Sequence, residues 1–332
     1  MKSRSNALPL SCQPHLSRRL RLSRRLRLSR REILALGAGV FGSIPLAAAD
    51  DQTFQVTSGE STINVAFATG DFDLGPPVIL GWISVAARGA SAYYGKFPVA
   101  NVSVRVRAVP DRAGVLRGTT YGEGPRTMMG VGQHSTRRQL DDDWTMTHEF
   151  IHLGFPSMRR QHHWIEEGIA VYAEPIARAQ IGTVTVQQVW GDMIRDMHQG
   201  QPGPGDQGLD GTHTWGRTYW GGALFCLLAD VRIRERTSNR FGLQHALRGI
   251  LAAGGTIEYD WSIEDAFAAG DAAVKVPVLT ELYGQMKDKP VVTDLDQLWT
   301  RLGVEASSGS VVFHADAPLA AIRQAITKAL GS

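Results

Sequence analysis

Thr147-His148-Glu149-Phe150-Ile151-His152 and Trp164-Ile165-Glu166-Glu167-Gly168-Ile169-Ala170-Val171-Tyr172 are the two stretches on which the reading of this chain turns. His148 and His152 are four residues apart, so a helix places both imidazoles on one face, within reach of one ion. Glu149 follows the first histidine directly, which sets its carboxylate beside that ion. Zinc acidifies water, and a glutamate so placed can take the proton. The second stretch also reads as a helix, with Ile165, Ile169, Tyr172 and Ile176 on one apolar face and Pro175 disturbing its end. Either Glu166 or Glu167 then completes a site of two histidines and one glutamate for a single Zn2+. That site keeps an open fourth position, the arrangement expected of a catalytic zinc.

Upstream of these helices the pattern is strand-rich. Residues 52–69 alternate weakly, and 102–109 alternate with period two, as a half-buried strand does. Residues 118–121 and 127–131 supply two more strands, divided by a turn at Gly122-Glu123-Gly124-Pro125. Apolar residues at helical spacing predict one helix over 78–94, ended by Phe97-Pro98. Asp141-Asp142-Asp143 offers an N-cap and acids for the first turn of the His148 helix. Helices are expected over 218–236, 241–253, 277–287 and 317–330, and the Gly- and Pro-rich segment 199–211 reads as a loop. Strands followed by helices define an α+β chain.

The Glu-Gly-x-Ala-x-Tyr core at Glu167–Tyr172, preceded by the aromatic Trp164, resembles the third-ligand helix of gluzincin zinc metallopeptidases, including the aminopeptidase N and glycyl aminopeptidase families. In those families the glutamate just before the glycine binds zinc, which implies Glu167 and leaves Glu166 outside the ligand set. Fourteen residues separate His152 from Glu167, fewer than is usual in either family. Tyr219-Trp220-Gly221-Gly222-Ala223 is similar to the Tyr-x-x-Gly-Ala helix of the glycyl aminopeptidases. By that resemblance Tyr219 stabilises the oxyanion, a role suited to a phenol donor. Gly130-Val131-Gly132-Gln133-His134 resembles the edge strand that these families set beside the substrate. The resemblance places Gln133 where they carry a glutamate for the substrate's amino terminus, and a neutral amide is a poorer partner for an ammonium. The expected fold is zincin-like: a small mixed β-sheet over the His-Glu-x-x-His helix, with a helical C-terminal lobe. The expected partner is a peptide or protein substrate, with exo- and endo-cleavage both open.

Other residues near the motif receive lesser roles. Glu174, seven residues after Glu167, can orient a ligand histidine or sit in a solvated salt bridge. His162 and His163 read as surface residues flanking the second helix. Cys226 lies in the apolar run Ala223–Leu228 and reads as a buried thiol.

Charge is unevenly spread. Of 35 basic and 32 acidic residues, ten and one lie in residues 1–49, leaving 25 basic against 31 acidic and a net charge of −6. A mildly acidic remainder gives no electrostatic reason to expect nucleic-acid binding. Residues 17–31 repeat Ser-Arg-Arg-Leu-Arg-Leu, an apolar stretch follows from Ile33 to Leu46, and Ala47-Ala48-Ala49 ends it. This pattern predicts a twin-arginine-type signal over 1–49, cleaved near Ala49, and delivery to the bacterial periplasm or beyond, with no stable membrane span left. The remainder divides into a strand-rich part (50–140), the zinc-binding helices (141–180) and a helical C-terminal lobe (181–332). The rival reading is a non-catalytic zinc-binding envelope protein that binds peptide or cell-wall ligands in the same cleft.

Overall fold

The structure is a computed structural model that describes residues 51–68 and 70–328. The signal expected over 1–49 lies outside the described residues. Strands β1 (Gln52–Ser58) and β2 (Ser61–Phe67) form an antiparallel hairpin turned at Gly59, whose φ of +59° is one that few side-chain-bearing residues adopt. Helix α1 (Pro76–Tyr94) starts on two prolines, where no N–H is needed, and stops at left-handed Gly95. Strands β3 (Asn101–Val109), β4 (Val115–Tyr121) and β5 (Arg126–Gly132) complete a five-stranded mixed sheet in the order β1-β2-β3-β5-β4. β2, β3 and β5 run parallel, and β1 and β4 are antiparallel to their neighbours. The sheet has one covered face, so β3 alternates strictly. Val102, Val104, Val106 and Ala108 are buried, while Arg105 and Arg107 lie on the more open side.

A short α2 (Arg137–Asp141) is opened by a capping box between Thr136 and Gln139. Helix α3 (Thr145–His152) follows. The acidic cluster serves two helices. Asp141 closes α2, whereas Asp143 Oδ2 accepts the Met146 N–H at 3.1 Å and the Trp82 indole N–H at 3.2 Å, pinning the start of α3 to α1. Helix α4 (His163–Gln180) continues through Pro175 to Gln180 rather than being disturbed there. α5 (Val186–Asp196) opens on a Thr185/Gln188 capping box. A π-helical turn at Arg217–Gly221 runs into α6 (Gly222–Arg236), followed by α7 (Leu243–Ala252), α8 (Ile263–Val274), α9 (Val278–Met286) and α10 (Leu295–Leu302). The C-terminal part is not purely helical: a hairpin of β6 (Val304–Ser307) and β7 (Ser310–Phe313) precedes α11 (Ala320–Thr327). Among the described residues, no helix is long and apolar enough to cross a membrane.

Helix α4 is central, packing against α1, α3 and α6. Its crossing with α6 is unusually close. A Cβ on Gly168 would sit 2.3 Å from the Gly222 carbonyl carbon, and one on Gly222 would sit 2.1 Å from the Trp164 carbonyl oxygen. Only glycine allows that approach, and it brings α6 against the residue that follows Glu167. Alanine inside a helix ordinarily stabilises by about 1 kcal/mol relative to glycine. At Gly168 we expect the opposite sign, a loss of about 1–3 kcal/mol from overpacking, read as a lower midpoint in urea unfolding. A Gly168→Ala chain as stable as the wild type would show that this crossing is not tight.

Candidate metal centre

Helix α3 carries His148, Glu149 and His152, and α4 carries Glu167 in its first turns. The structure brings both histidines and this glutamate together. Glu167 Oε2 lies 3.3 Å from His148 Nε2 and 3.8 Å from His152 Nε2, and one donor atom from each of the three lies within 4.8 Å of the others. Four ligands placed tetrahedrally at about 2.0–2.2 Å from zinc stand roughly 3.3–3.6 Å apart. The His148–Glu167 separation matches that spacing and the wider ones need to close by only a few tenths of an ångström to about 1 Å, with the donor types zinc takes. His148 and Glu167 are buried at 6% side-chain exposure, and His152 at 13%.

The electrostatics point the same way. Burial alone pushes the Glu167 carboxyl up, but hydrogen bonds from His148 and His163 and the nearby His152 hold it well below the usual carboxylate range. Burial alone lowers His148, yet the hydrogen bond and charge of Glu167, with Glu149 and Glu174 behind it, raise its affinity for a proton. A buried pocket that draws protons onto imidazoles in this way also favours a metal cation, which takes their place.

Glu149 is held by β4. Thr120 Oγ1 lies 2.8 Å from Glu149 Oε2, and Thr127 Oγ1 stands 3.0 Å behind Thr120. Gly118 makes this contact possible, since a Cβ there would lie 2.6 Å from Glu149 Cγ. β4 is thus the free edge of the sheet beside the motif helix. This corrects the placement of Gly132 and Gln133 on the edge strand: β5 is flanked by β3 and β4, and Gln133 just beyond it bonds through its backbone to Val109 and Asp73. Chain order is β3-β4-β5, but β4 folds back outside β5, so a linear reading puts the edge one strand too late.

Tyr219 lies in the π-helical turn, three residues before Gly222, stacked on Trp215 with ring centroids 5.9 Å apart. π-turns recur at functional sites. Glu174 is buried and accepts from Arg178 Nη1 at 3.1 Å, so its partner is a buried cation rather than solvent. His148 Nδ1 has no hydrogen-bond partner among the described residues.

His162 and His163 are not the surface residues expected. His162 is 6% exposed, and its Nδ1 lies 3.0 Å from Asp210 Oδ1. His163 Nδ1 lies 2.8 Å from Glu166 Oε2, and its Nε2 lies 3.0 Å from Glu167 Oε1. Burial lowers its proton affinity, but the hydrogen bonds and charges of Glu166 and Glu167 prevail and raise its pKa to about 9. The spacing held a signal: a helix brings a histidine against glutamates three and four positions later.

The segment from 199 to 216 is anchored. The Asp210 carboxylate accepts from Trp164 Nε1 at 2.8 Å and from the Tyr283 hydroxyl at 2.7 Å, besides His162, and Arg217 pairs with Asp206 at 2.7 Å in a buried position. Asp210 thereby ties the start of α4 to α9.

No protein-family model matches the sequence, and no curated protein matches it either. Solved structures do match. An aminopeptidase N family protein from Idiomarina loihiensis superposes with a TM-score of 0.55 at 12% identity, over 77% of this chain and 49% of that one. An M1 zinc metallopeptidase from Deinococcus radiodurans gives 0.46 at 15% identity, over 74% and 52%. The chain shares its fold with the aminopeptidase N family protein. It spans about half the length of the solved proteins it matches.

Replacing Asp210 by alanine strips a part-buried acceptor from three side chains. We expect a loss of about 1–3 kcal/mol, read as a lower thermal midpoint in the metal-free chain. An unchanged midpoint would contradict the anchoring role.

Proposed function

We propose that this chain is a zinc-dependent metallopeptidase that hydrolyses peptide bonds. The observation that carries the reading is the convergence of His148, His152 and Glu167, one donor atom from each within 4.8 Å of the others, with Glu149 on the same helix and against the edge strand. His148 and His152 would hold one zinc through Nε2 and Glu167 through Oε2. Bound there, zinc would supply Lewis-acid polarisation of the scissile carbonyl and of the attacking water.

The chain's own residues supply the rest. An extended peptide pairs with the free edge of β4, as strands added to sheet edges do, which brings its backbone past Glu149. Glu149 takes a proton from the attacking water and returns it to the leaving amine. The Thr120 hydroxyl holds one carboxylate oxygen and so fixes the orientation of the Glu149 carboxylate. Tyr219 donates to the oxyanion. The edge strand carries no carboxylate over Val115–Tyr121. A free substrate amino terminus finds no charged anchor on this strand, which supports cleavage away from that terminus. The basic repeats and small-residue site of residues 1–49 support action after export to the periplasm or outside the cell.

The test is a mixed peptide pool incubated with zinc-loaded protein and read by mass spectrometry beside Glu149→Gln. The wild type should cleave within peptides, and Glu149→Gln should keep its zinc while losing about two to four orders of magnitude in rate. Equal turnover by both chains, or none by a zinc-loaded wild type, contradicts the reading. Tyr219→Phe should lower kcat and leave zinc content unchanged. Lost zinc in that variant would make the tyrosine a structural group.

A further inference from the structure

The two oxygens of Glu167 face different partners. Oε2 faces His148 and His152 at 3.3 and 3.8 Å, whereas Oε1 lies 3.0 Å from His163 Nε2. The other nitrogen of that ring, Nδ1, lies 2.8 Å from Glu166 Oε2, and Glu166 Oε1 accepts the backbone N–H of Met158 at 3.3 Å. Both ring nitrogens thus face carboxylate oxygens, and an Nε2–H in this place donates to Glu167 Oε1. The His163 side chain is 20% exposed, and its ring is fixed from two sides.

We propose that His163 is a positioning residue for the metal, holding Glu167 Oε1 so that Glu167 binds zinc through Oε2 alone. This rests on the zinc-site reading above. Ligating carboxylates need an outer partner to fix their orientation, and losing such a partner typically costs 10–100-fold in metal affinity. A carboxylate with both oxygens free can rotate to chelate the ion with both, which raises the coordination number and closes the position a substrate needs. Here the restraint sits one helical turn before the ligand, in the same helix, and Glu166 fixes its angle. A merely structural ion pair at the start of α4 makes a different prediction: its loss lowers the stability of the metal-free chain and leaves the bound metal's geometry alone.

The experiment compares His163→Gln with His163→Leu. The two replacements are close in size, but only glutamine keeps an N–H donor. Zinc affinity is measured by competition with a chromophoric chelator, and cobalt(II) is then bound in place of zinc. The intensity of its visible bands reports coordination number, four-coordinate cobalt absorbing more strongly than five-coordinate. His163→Leu should bind zinc about 10–100-fold more weakly and show weaker cobalt bands, and His163→Gln should recover most of both. If His163→Leu does not fold, His163→Ala takes its place. Wild-type affinity and an unchanged cobalt spectrum in the chain without a donor overturn the inference alone, as does a glutamine chain no better than the leucine one. A wild type that binds no zinc overturns both this inference and the reading beneath it.

Discussion

The meeting of the Glu167 carboxylate with the imidazoles of His148 and His152 is the interaction around which the rest of the molecule is arranged. A buried carboxylate is costly unless charge and hydrogen bonds compensate it. Here it has His148 and His152 on one oxygen and His163 on the other. That concentration of groups requires α3 and α4 to be held at a fixed separation, and several otherwise unrelated features serve this end. Asp143 joins α3 to α1, Asp210 joins the start of α4 to α9, and the Gly168–Gly222 contact brings α6 against α4. The buried Glu174–Arg178 ion pair lies about two helical turns along α4 from Glu167.

The sheet contributes at one edge. β4 runs antiparallel to β5, ends the sheet, and presents Gly118 and Thr120 to Glu149. Alternation along a strand explains why both touch the same carboxylate: residues two apart share a face. The missing side chain at 118 lets the strand approach the helix, and the hydroxyl at 120 fixes the carboxylate once it is there. One edge strand thereby both orients Glu149 and offers unpaired backbone groups beside it.

Much of this was legible in the sequence because it depends on local periodicity. The four-residue spacing of His148 and His152, the helix under α1, the alternation of β3 and the buried face of α4 follow from residues close in the chain. Helical spacing could not choose between Glu166 and Glu167, which are adjacent and both within reach of a nearby helix. The resemblance to gluzincins favoured Glu167, and the structure sets Glu167 at the histidines and Glu166 behind His163. What stayed hidden depends on pairing between distant segments. The fold-back of β4 outside β5 has no local signature, so the edge strand was assigned to Gly132 and Gln133. Asp210 lies in a loop whose composition says nothing of the three donors it meets. The capping box at Thr185 and Gln188 and the turn at Ser308-Gly309 are local signals for α5 and the β6–β7 hairpin, which the hydrophobic periodicity alone does not show. A histidine at a helix start is ordinarily exposed, and the burial of His163 becomes legible only when both following glutamates are counted.

The proposed activity depends on a metal ion sitting where the three side chains converge. The most direct measurement is anomalous diffraction at the zinc absorption edge from crystals of the zinc-loaded protein. The account predicts a single peak with His148 Nε2, His152 Nε2 and one oxygen of Glu167 at about 2.0–2.2 Å. A peak elsewhere, or one bound by a different set of side chains, would contradict it.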